Sequence, residues 1–481
     1  GAYNTALGSN ALNSNTTASN NTAVGYQAGY SNQTGAENVA VGKQALYANT
    51  GSYNTAVGTY ALATNSSGSY NSAFGGNDNI KGSPLVSNTT GSSNSAFGNG
   101  ALATNTTGSY NTAYGSSSLG SNTTASNNTA VGYQAGYSNT GANNTFIGYV
   151  AGYNQTTGTQ NTAVGIGAGY NQTSGTANTY LGHNSGPNNT NNASSYNTYL
   201  GAFSGYFTTT ASNNTAVGYQ AGYSNTTGAQ NTFIGRNAGY GATASVTGSY
   251  NTAVGNTAGY NLTSGYSNTL LGAGAGYSLT TGNFNTFVGS NSDTYSSGQL
   301  ITTGSKNTII GNYNGNQGGL DIRTASNYIV LSDGDGTPVV YGKYNGDIVL
   351  NTNTGGTLYC VGAYTFTSAS SANVFVNSGG AFLRSTSALK YKNDIRDLES
   401  VDINKFRPVR YKSKCEGDDQ TIDHFGIIAD EVDAAGIKEL VSYGAGGEVE
   451  GFQYERLTVV LLKAIQELKA ELDELKSQLG K

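Results

Sequence analysis

The sequence of 481 residues lacks methionine and tryptophan, and it has only two histidines, two cysteines and four prolines. Charged side chains make up 10% of it, against roughly a quarter in an ordinary domain. Too little proline, and no glycine at every third position, exclude collagen. The 36 tyrosines and 14 phenylalanines exclude a charged disordered chain, and a net charge of −5 disfavours nucleic-acid binding.

Several sequence signals for location and chemistry are also missing. Apolar runs extend over only a few residues, so we expect no transmembrane helix, and the first residues show no signal-peptide pattern. The lack of methionine suggests a sequence without its translational start. Cys360 and Cys415 have no metal-ligand spacing, and we expect two unpaired thiols. We expect no cofactor and no metal ion.

The few charges divide the chain into two different parts. Residues 1–300 hold six of the 47 charged side chains, and the other 41 fall in residues 301–481. The first part is a repeat of Asn, usually Thr, any residue, an apolar residue and Gly, with most copies 17 residues apart and the longest spacing 23. Its 18 copies begin at Asn4, Asn21, Asn38, Asn54, Asn71, Asn94, Asn111, Asn128, Asn144, Asn161, Asn178, Asn197, Asn214, Asn231, Asn251, Asn268, Asn285 and Asn307.

This period predicts a β-solenoid in which each repeat forms one coil. The apolar runs are too short and too rich in glycine for helices, whereas short strands between Gly, Asn and Ser turns fit. Stacked coils form a continuous core that one coil alone cannot bury. We expect the Gly after each strand to adopt a backbone conformation that other residues avoid, and Asn-Thr pairs to form polar ladders. The repeats carry little apolar bulk, which favours three chains sharing one axis.

The repeat has a recognisable relative. The pattern of NTAVG, YQAGY and NTFIG segments resembles the head repeats of trimeric autotransporter adhesins and related phage fibres, over roughly residues 1–311. The resemblance implies left-handed parallel β-rolls with three chains together. The repeat of that family is usually shorter.

Residues 312–380 change character. They alternate apolar and polar residues around DGDG and NG turns, which predicts a neck of short antiparallel strands. The DGDG segment at 333–336 lacks the further acidic ligands of a calcium loop, so we interpret it as a plain turn.

Residues 381–481 have the composition of an ordinary α/β protein and end in a predicted helix over about 453–479. Its apolar positions step by four and three residues, which is a heptad seam and favours self-association over packing on its own domain. Isoleucine and leucine along the seam favour a coiled coil of two helices, whereas the solenoid repeats favour three chains. The seam residues are Leu461, Ile465, Leu468, Leu472, Leu475 and Leu479.

This last part closely resembles the intramolecular chaperone domain of phage tail spikes and fibres of the endosialidase type. The match rests on a Ser-x-x-x-aromatic-Lys-x-x-Ile opening, on FGIIADEV and on the Y-x-x-L-x-x-x-L-x-x-A-I-Q-E-L helix start. The resemblance implies a domain that trimerises, guides folding of the β-structured fibre before it, and then cuts itself off after a serine with a Ser-Lys dyad.

Anchored on Ile395, the family pattern places the nucleophile at Ser387 and the base at Lys392. A serine needs a base to become a nucleophile, and a lysine whose pKa is lowered by burial can serve. Ala388 follows the serine where the family commonly has Asp. A second register, Ser385 with Lys390, keeps the spacing, and a solvated linker without cleavage is the remaining interpretation.

We therefore expect a mainly β, trimeric fibre that binds a host glycan or protein receptor, located in a virion tail or an extracellular appendage. The alternative is a bacterial or environmental adhesin or filament that retains an uncleaved trimerisation cap. A glycan-degrading enzyme is disfavoured, because the carboxylates of residues 1–300 are only Glu37, Asp78 and Asp293, far apart in sequence. Ice binding by regular Asn-Thr rows is a further alternative, and exterior tyrosines could stack on sugars or pack between coils.

Overall fold

The structure of the protein is a computed structural model. It describes residues 1–76, 79–187, 193–290, 296–342, 348–350, 374–376, 382–384, 394–414, 420–443 and 447–480. The chain divides into two compact units, residues 1–357 and residues 358–481, and each is described by itself.

The first unit is a parallel β-solenoid in which every repeat contributes one strand of three residues. The strands are β1 (Thr5–Leu7), β2 (Thr22–Val24), β3 (Val39–Val41), β4 (Thr55–Val57), β5 (Ser72–Phe74), β6 (Ser95–Phe97), β7 (Thr112–Tyr114), β8 (Thr129–Val131), β9 (Thr145–Ile147), β10 (Thr162–Val164), β11 (Thr179–Leu181), β12 (Thr198–Leu200), β13 (Thr215–Val217), β14 (Thr232–Ile234), β15 (Thr252–Val254), β16 (Thr269–Leu271), β17 (Thr286–Val288) and β18 (Thr308–Ile310). Each strand pairs in parallel with the next one along the chain, in the register of the repeat. The predicted mainly β solenoid is confirmed.

The solenoid continues for one coil more than the 18 repeats. Strand β21 (Ile329–Ser332) pairs in parallel with β18. Tyr328 stands where the other coils have the repeat asparagine, and Ser332 where they have glycine, so the motif is absent although the pairing persists. The backbone N–H of Tyr328 still donates to Oδ1 of Asn307 at 2.9 Å.

The repeat asparagines form a continuous buried ladder. Oδ1 of each asparagine accepts the backbone N–H of the asparagine one coil further on, at 2.8–3.1 Å. The side-chain amide also donates to a backbone carbonyl across the coil, as Asn111 does to Ala125 at 2.9 Å. The predicted polar ladder is therefore present, and it occupies the position just before each strand.

The centre of each strand points into the core beside the residue six positions later, and several coils combine a small and a large residue at these two positions. In most of the first coils a central alanine is matched by a leucine, as Ala56 is by Leu62. Phe146 is matched instead by Gly152, where an added Cβ would lie 2.3 Å from Cδ1 of the phenylalanine. Both Leu62 and Gly152 have positive φ, 54° and 61°, so the leucine coils accept a strained backbone to fill the core.

A second buried column changes from polar to apolar along the solenoid. In the early coils it is an amide ladder in which Nδ2 of one asparagine donates to Oδ1 of its neighbour at 2.6–2.9 Å, formed by Asn49, Asn65, Asn88, Asn105 and Asn122. In the last coils the column is Val246, Leu262, Leu279, Ile301 and Ile322, all fully buried. The core at the C-terminal end of the solenoid is therefore the more hydrophobic one.

Short antiparallel strands follow the last repeats. They are β19 (Asn316–Gln317) with β20 (Leu320–Asp321), and β22 (Pro338–Gly342), which pairs with both β21 and β23 (Ile348–Leu350). The DGDG segment is the turn between β21 and β22. Oδ1 of Asp333 accepts the backbone N–H groups of Asp335 and Thr337 at 3.1 and 2.8 Å, as the plain-turn interpretation predicted.

Among its described residues, the second unit contains three antiparallel strand pairs and two α-helices. The pairs are β24 (Val374–Val376) with β25 (Phe382–Arg384), β26 (Pro408–Lys412) with β27 (Asp423–Ile427), and β28 (Val441–Tyr443) with β29 (Val449–Phe452). The helices are α1 (Ala429–Ala434) and α2 (Tyr454–Gln478), and short 3-10 turns cover Ile403–Lys405 and Lys438–Leu440. A small core of Val432, Leu440, Val441 and Val460 joins α1, α2 and β28.

The matched core sizes predict a compensating pair of substitutions. Gly152→Leu should lower the thermal unfolding midpoint because its side chain meets the Phe146 ring, at a cost of about 3 kcal/mol or more. Phe146→Ala leaves a cavity and should cost about as much. The double variant recreates the Ala56 and Leu62 pairing, so it should be clearly more stable than the sum of both losses. Circular dichroism melting of the four proteins measures this, and additive losses would contradict the matching.

Candidate functional site

The predicted catalytic residues lie outside the described residues. This holds for Ser387 and Lys392 and also for the alternative register of Ser385 with Lys390. Ile395, the anchor of the motif, is described and exposed. The Ser-Lys dyad therefore stays a prediction, and Cys360 and Cys415 likewise lie outside the described residues.

The outer face of the parallel sheet carries an aliphatic column. The third residue of each strand points outward and is apolar from β1 to β18, and β21 continues the column with Leu331. Several of these side chains are well exposed, among them Leu271 at 46% and Ile310 at 50%. We call this surface the outer sheet face. A solvent-exposed apolar stripe of this length is typical of an interaction surface.

In three successive coils the outer sheet face is aromatic. Phe74 and Phe97 stack with ring centroids 4.6 Å apart, and Phe97 continues to Tyr114 at 5.6 Å. The same three strands carry Ser72, Ser95 and Thr112 at their first positions. These coils also include the longest spacing between repeats, from Asn71 to Asn94, which contains an inserted loop.

A second exterior column consists of half-buried tyrosines, from the last position of YQAGY and equivalent segments. We call it the tyrosine column, and its rings stack on one another with centroids 4.9–5.5 Å apart and planes within 11°. Its two longest runs are Tyr137, Tyr153 and Tyr170, and Tyr206, Tyr223, Tyr240, Tyr260 and Tyr277. Within these runs the ring faces cover each other, so these tyrosines pack between coils, and a sugar cannot stack on their faces.

The tyrosine column also changes the acidity of its phenols. Desolvation, and then the proximity of neighbouring phenols, raises the pKa of Tyr153, Tyr223 and Tyr240 above the ordinary value of 10.0. Two tyrosines at strand centres inside the core are affected more strongly. Burial raises the pKa of Tyr180 and Tyr199 well above that value. Their hydroxyls are hydrogen-bonded, Tyr180 donating to Gln172 at 3.0 Å and Tyr199 accepting from Thr208 at 3.1 Å.

A third column lies at the corner just before each ladder asparagine, and we call it the corner column. Every residue in it has φ between 55° and 66°, a conformation that costs energy for side chains other than glycine or asparagine. Six of its positions nevertheless hold strongly exposed tyrosines: Tyr3, Tyr53, Tyr70, Tyr110, Tyr196 and Tyr250. Four of the six stand in Gly-Ser-Tyr-Asn segments, a signal in the sequence that our sequence analysis missed.

Helix α2 carries the exposed heptad seam. Its members Leu461, Ile465, Leu468 and Leu472 are exposed, and among the described helix residues only Val460 is buried. Elsewhere in this unit, Arg407 pairs with Glu431 and thereby holds the pKa of that carboxyl below its ordinary value. Donation to Asp433 raises the pKa of Tyr443 to about 12.

Comparison of the chain with protein families, with curated proteins and with solved structures found no significant match. Within the described ranges there is no cluster of three or more His, Cys, Asp or Glu side chains suited to a metal ion. None of the described helices combines the length and the apolar character needed to span a membrane.

The buried tyrosines predict a loss of stability in alkali. Above pH 10 the unfolded chain ionises its phenols while Tyr180 and Tyr199 stay protonated in the fold, so the unfolded state binds fewer protons. Their contribution is complete below pH 10 and falls as the pH rises through and beyond that value. The thermal unfolding midpoint, measured from about pH 9 to about pH 12, should therefore decline.

The control is the double variant Tyr180→Phe and Tyr199→Phe, which removes both hydroxyls and keeps both rings. Its midpoint should fall less steeply with pH than that of the parent. Equal slopes for the two proteins would contradict the assignment to these phenols.

Proposed function

We propose that the protein is the adhesive shaft of a trimeric fibre, of the kind found in phage tails, with a folding chaperone at its C-terminal end. In this proposal the second unit trimerises first, templates the solenoid, and then releases itself by cleavage after Ser387. The observation that carries the proposal is the outer sheet face, an unbroken apolar column along all the coils. The fibre would act in a virion or an extracellular appendage, on a host glycan or protein.

The outer sheet face suits further copies of the same chain. Nineteen coils at a rise of about 4.8 Å give a stripe roughly 90 Å long, and a width of roughly 10 Å makes its area about 900 Å². That area is comparable to the ~800 Å² that each partner buries in a stable interface. The stripe has the period of the solenoid itself, so a partner with the same period meets it at every coil. A second and a third copy of this chain have that period.

The seam of α2 supports the same assembly. Exposed leucines and an isoleucine at heptad spacing are stable in water when they pack against equivalent helices. Lys463 and Glu467 pair at 3.4 Å on the side of α2 away from the seam. An associated helix at the end of the chain would set the number of chains.

A template is useful because the repeats can pair in the wrong register. Most coils are 17 residues long and nearly identical around the ladder, so an offset by one repeat between chains loses few contacts. Parallel pairing between chains is also slow, since its contacts are distant in sequence. A trimer formed first at one end would align the three chains before the solenoids associate.

A charge on the outer sheet face tests the trimer. Leu271→Lys brings three ammonium groups together at one level of the shared axis, and it should shift the sedimenting species from trimer to monomer. Ser264→Lys adds the same charge at an exposed position outside the strands and should leave the trimer intact. A parent protein that sediments as a monomer would overturn the proposal.

Intact mass under denaturing conditions tests the release. The parent should yield two fragments that separate between Ser387 and Ala388, and Ser387→Ala should stay whole because the nucleophilic hydroxyl is gone. Lys392→Met should also stay whole, whereas Lys390→Met should be cut as the parent is. Cleavage that follows Ser385 and Lys390 instead would assign the other register.

An uncut trimer would select the alternative function. The chain would then be an extracellular adhesin or filament in which the second unit remains as a permanent trimerisation cap. Cleavage and assembly are thus separate measurements, and the outer sheet face supports only the assembly.

A further inference from the structure

One interval of the corner column has a serine between two exposed tyrosines, and we call it the slot. Tyr70 and Tyr110 occupy this column two coils apart, with Ser93 between them in the intervening coil. All three have nearly the same backbone conformation, with φ of 60°, 59° and 59°. They are aligned by equivalent hydrogen bonds, from the N–H of Ser93 to Ser69 at 2.9 Å and from the N–H of Tyr110 to Ser92 at 3.0 Å.

The spacing of the column gives the slot its width. Tyr53 and Tyr70, in adjacent coils, stack with centroids 4.8 Å apart and planes within 4°. Two coils therefore separate the rings of Tyr70 and Tyr110 by roughly 10 Å, twice the strand spacing. This distance admits one six-membered ring at normal stacking distance from each tyrosine. Ser93 is too small to fill it, and the tyrosines are 61% and 66% exposed.

A second interval of the same column has a ring beside one of its aromatic walls. Tyr250, Ser267 and Phe284 repeat the arrangement of aromatic, serine and aromatic at three successive coils. There the residue before the serine is Tyr266, whose ring packs edge-on against Phe284 with centroids 5.1 Å apart. In the first interval that position is Ser92, which has no ring.

We propose that the slot between Tyr70 and Tyr110 binds one neutral hexopyranose unit of a glycan. A pyranose has C–H faces for the two aromatic rings and a rim of hydroxyls for water and for polar side chains such as Ser93. Residues 44–76 and 82–130 contain no charged side chain, so no charge within these ranges selects an anionic or cationic ring. This inference rests on the proposed adhesive function and names its ligand class.

The aromatic surface of the neighbouring strands supports this location. The coils of β5, β6 and β7 are those in which the outer sheet face changes from aliphatic residues to Phe74, Phe97 and Tyr114. They are also the coils with the inserted loop. A site formed by one sugar ring is weak, and repetition of the site in several chains would raise the avidity.

The test uses saturation-transfer NMR on the full chain with three probes. These are the methyl glycosides of β-glucose, β-galactose and α-mannose. At least one of them should receive saturation, most strongly at its C–H protons. Ser93→Tyr should complete a stack of four tyrosines from Tyr53 to Tyr110, keep the fold, and weaken binding by about tenfold or more.

Two matched variants keep the test decisive. Asn127→Tyr adds a tyrosine to the same column on the far side of Tyr110, so the slot stays open and binding should be unchanged. Tyr110→Ser removes one of the two tyrosine rings and should weaken binding. This variant provides an independent test if Ser93→Tyr unfolds at a lower temperature than the parent. No transfer to any probe, or transfer that survives Ser93→Tyr, would overturn the slot.

The outcome is separable from that of the proposed fibre. A protein that sediments as a trimer and binds no sugar would overturn the slot and leave the fibre intact. Sugar binding by a monomeric protein would support the slot and contradict the trimer.

Discussion

The hydrogen bond from each ladder asparagine to the next is the constraint on which the rest of the solenoid depends. Oδ1 of one asparagine accepts the backbone N–H of the asparagine in the following coil. The side-chain amide of the same asparagine donates to a backbone carbonyl across the coil. A buried amide left without these partners is costly, so a coil can stack in one register only. The outer sheet face, the tyrosine column and the corner column are aligned because this ladder holds the coils in register.

Core packing adapts to this fixed backbone. Because the coils are held in register, a large side chain in one coil requires small residues beside it, in its own coil or in the next. Alanine with leucine and phenylalanine with glycine are two solutions, used in different parts of the rod. The change of the second buried column from asparagine to leucine and isoleucine makes the C-terminal coils more hydrophobic. In the proposed fibre these are the coils nearest in sequence to the template, where association would begin.

Alignment also decides what the surface can do. A residue repeated at one position becomes a column at about 4.8 Å spacing, so like aromatic rings stack and cover each other. The tyrosine column is therefore a structural feature whose faces are closed to ligands. A ligand can stack only where the repetition is interrupted, and Ser93 is such an interruption between two exposed tyrosines. Binding specificity in this architecture arises from departures from the repeat.

The repeat of 17 residues, its short apolar runs and its near absence of charge were sufficient to predict a parallel β-solenoid, its polar ladder and its glycine turns. These features are local and recur in every repeat, and few folds other than stacked coils can bury the apolar side of each repeat. The coil at Tyr328 could not be predicted, because the pairing persists there without the motif. The positive φ of the corner column and the slot beside Ser93 were decided by the tertiary structure. They depend on which residues lie above one another, and those residues are 16 to 23 positions apart in the chain.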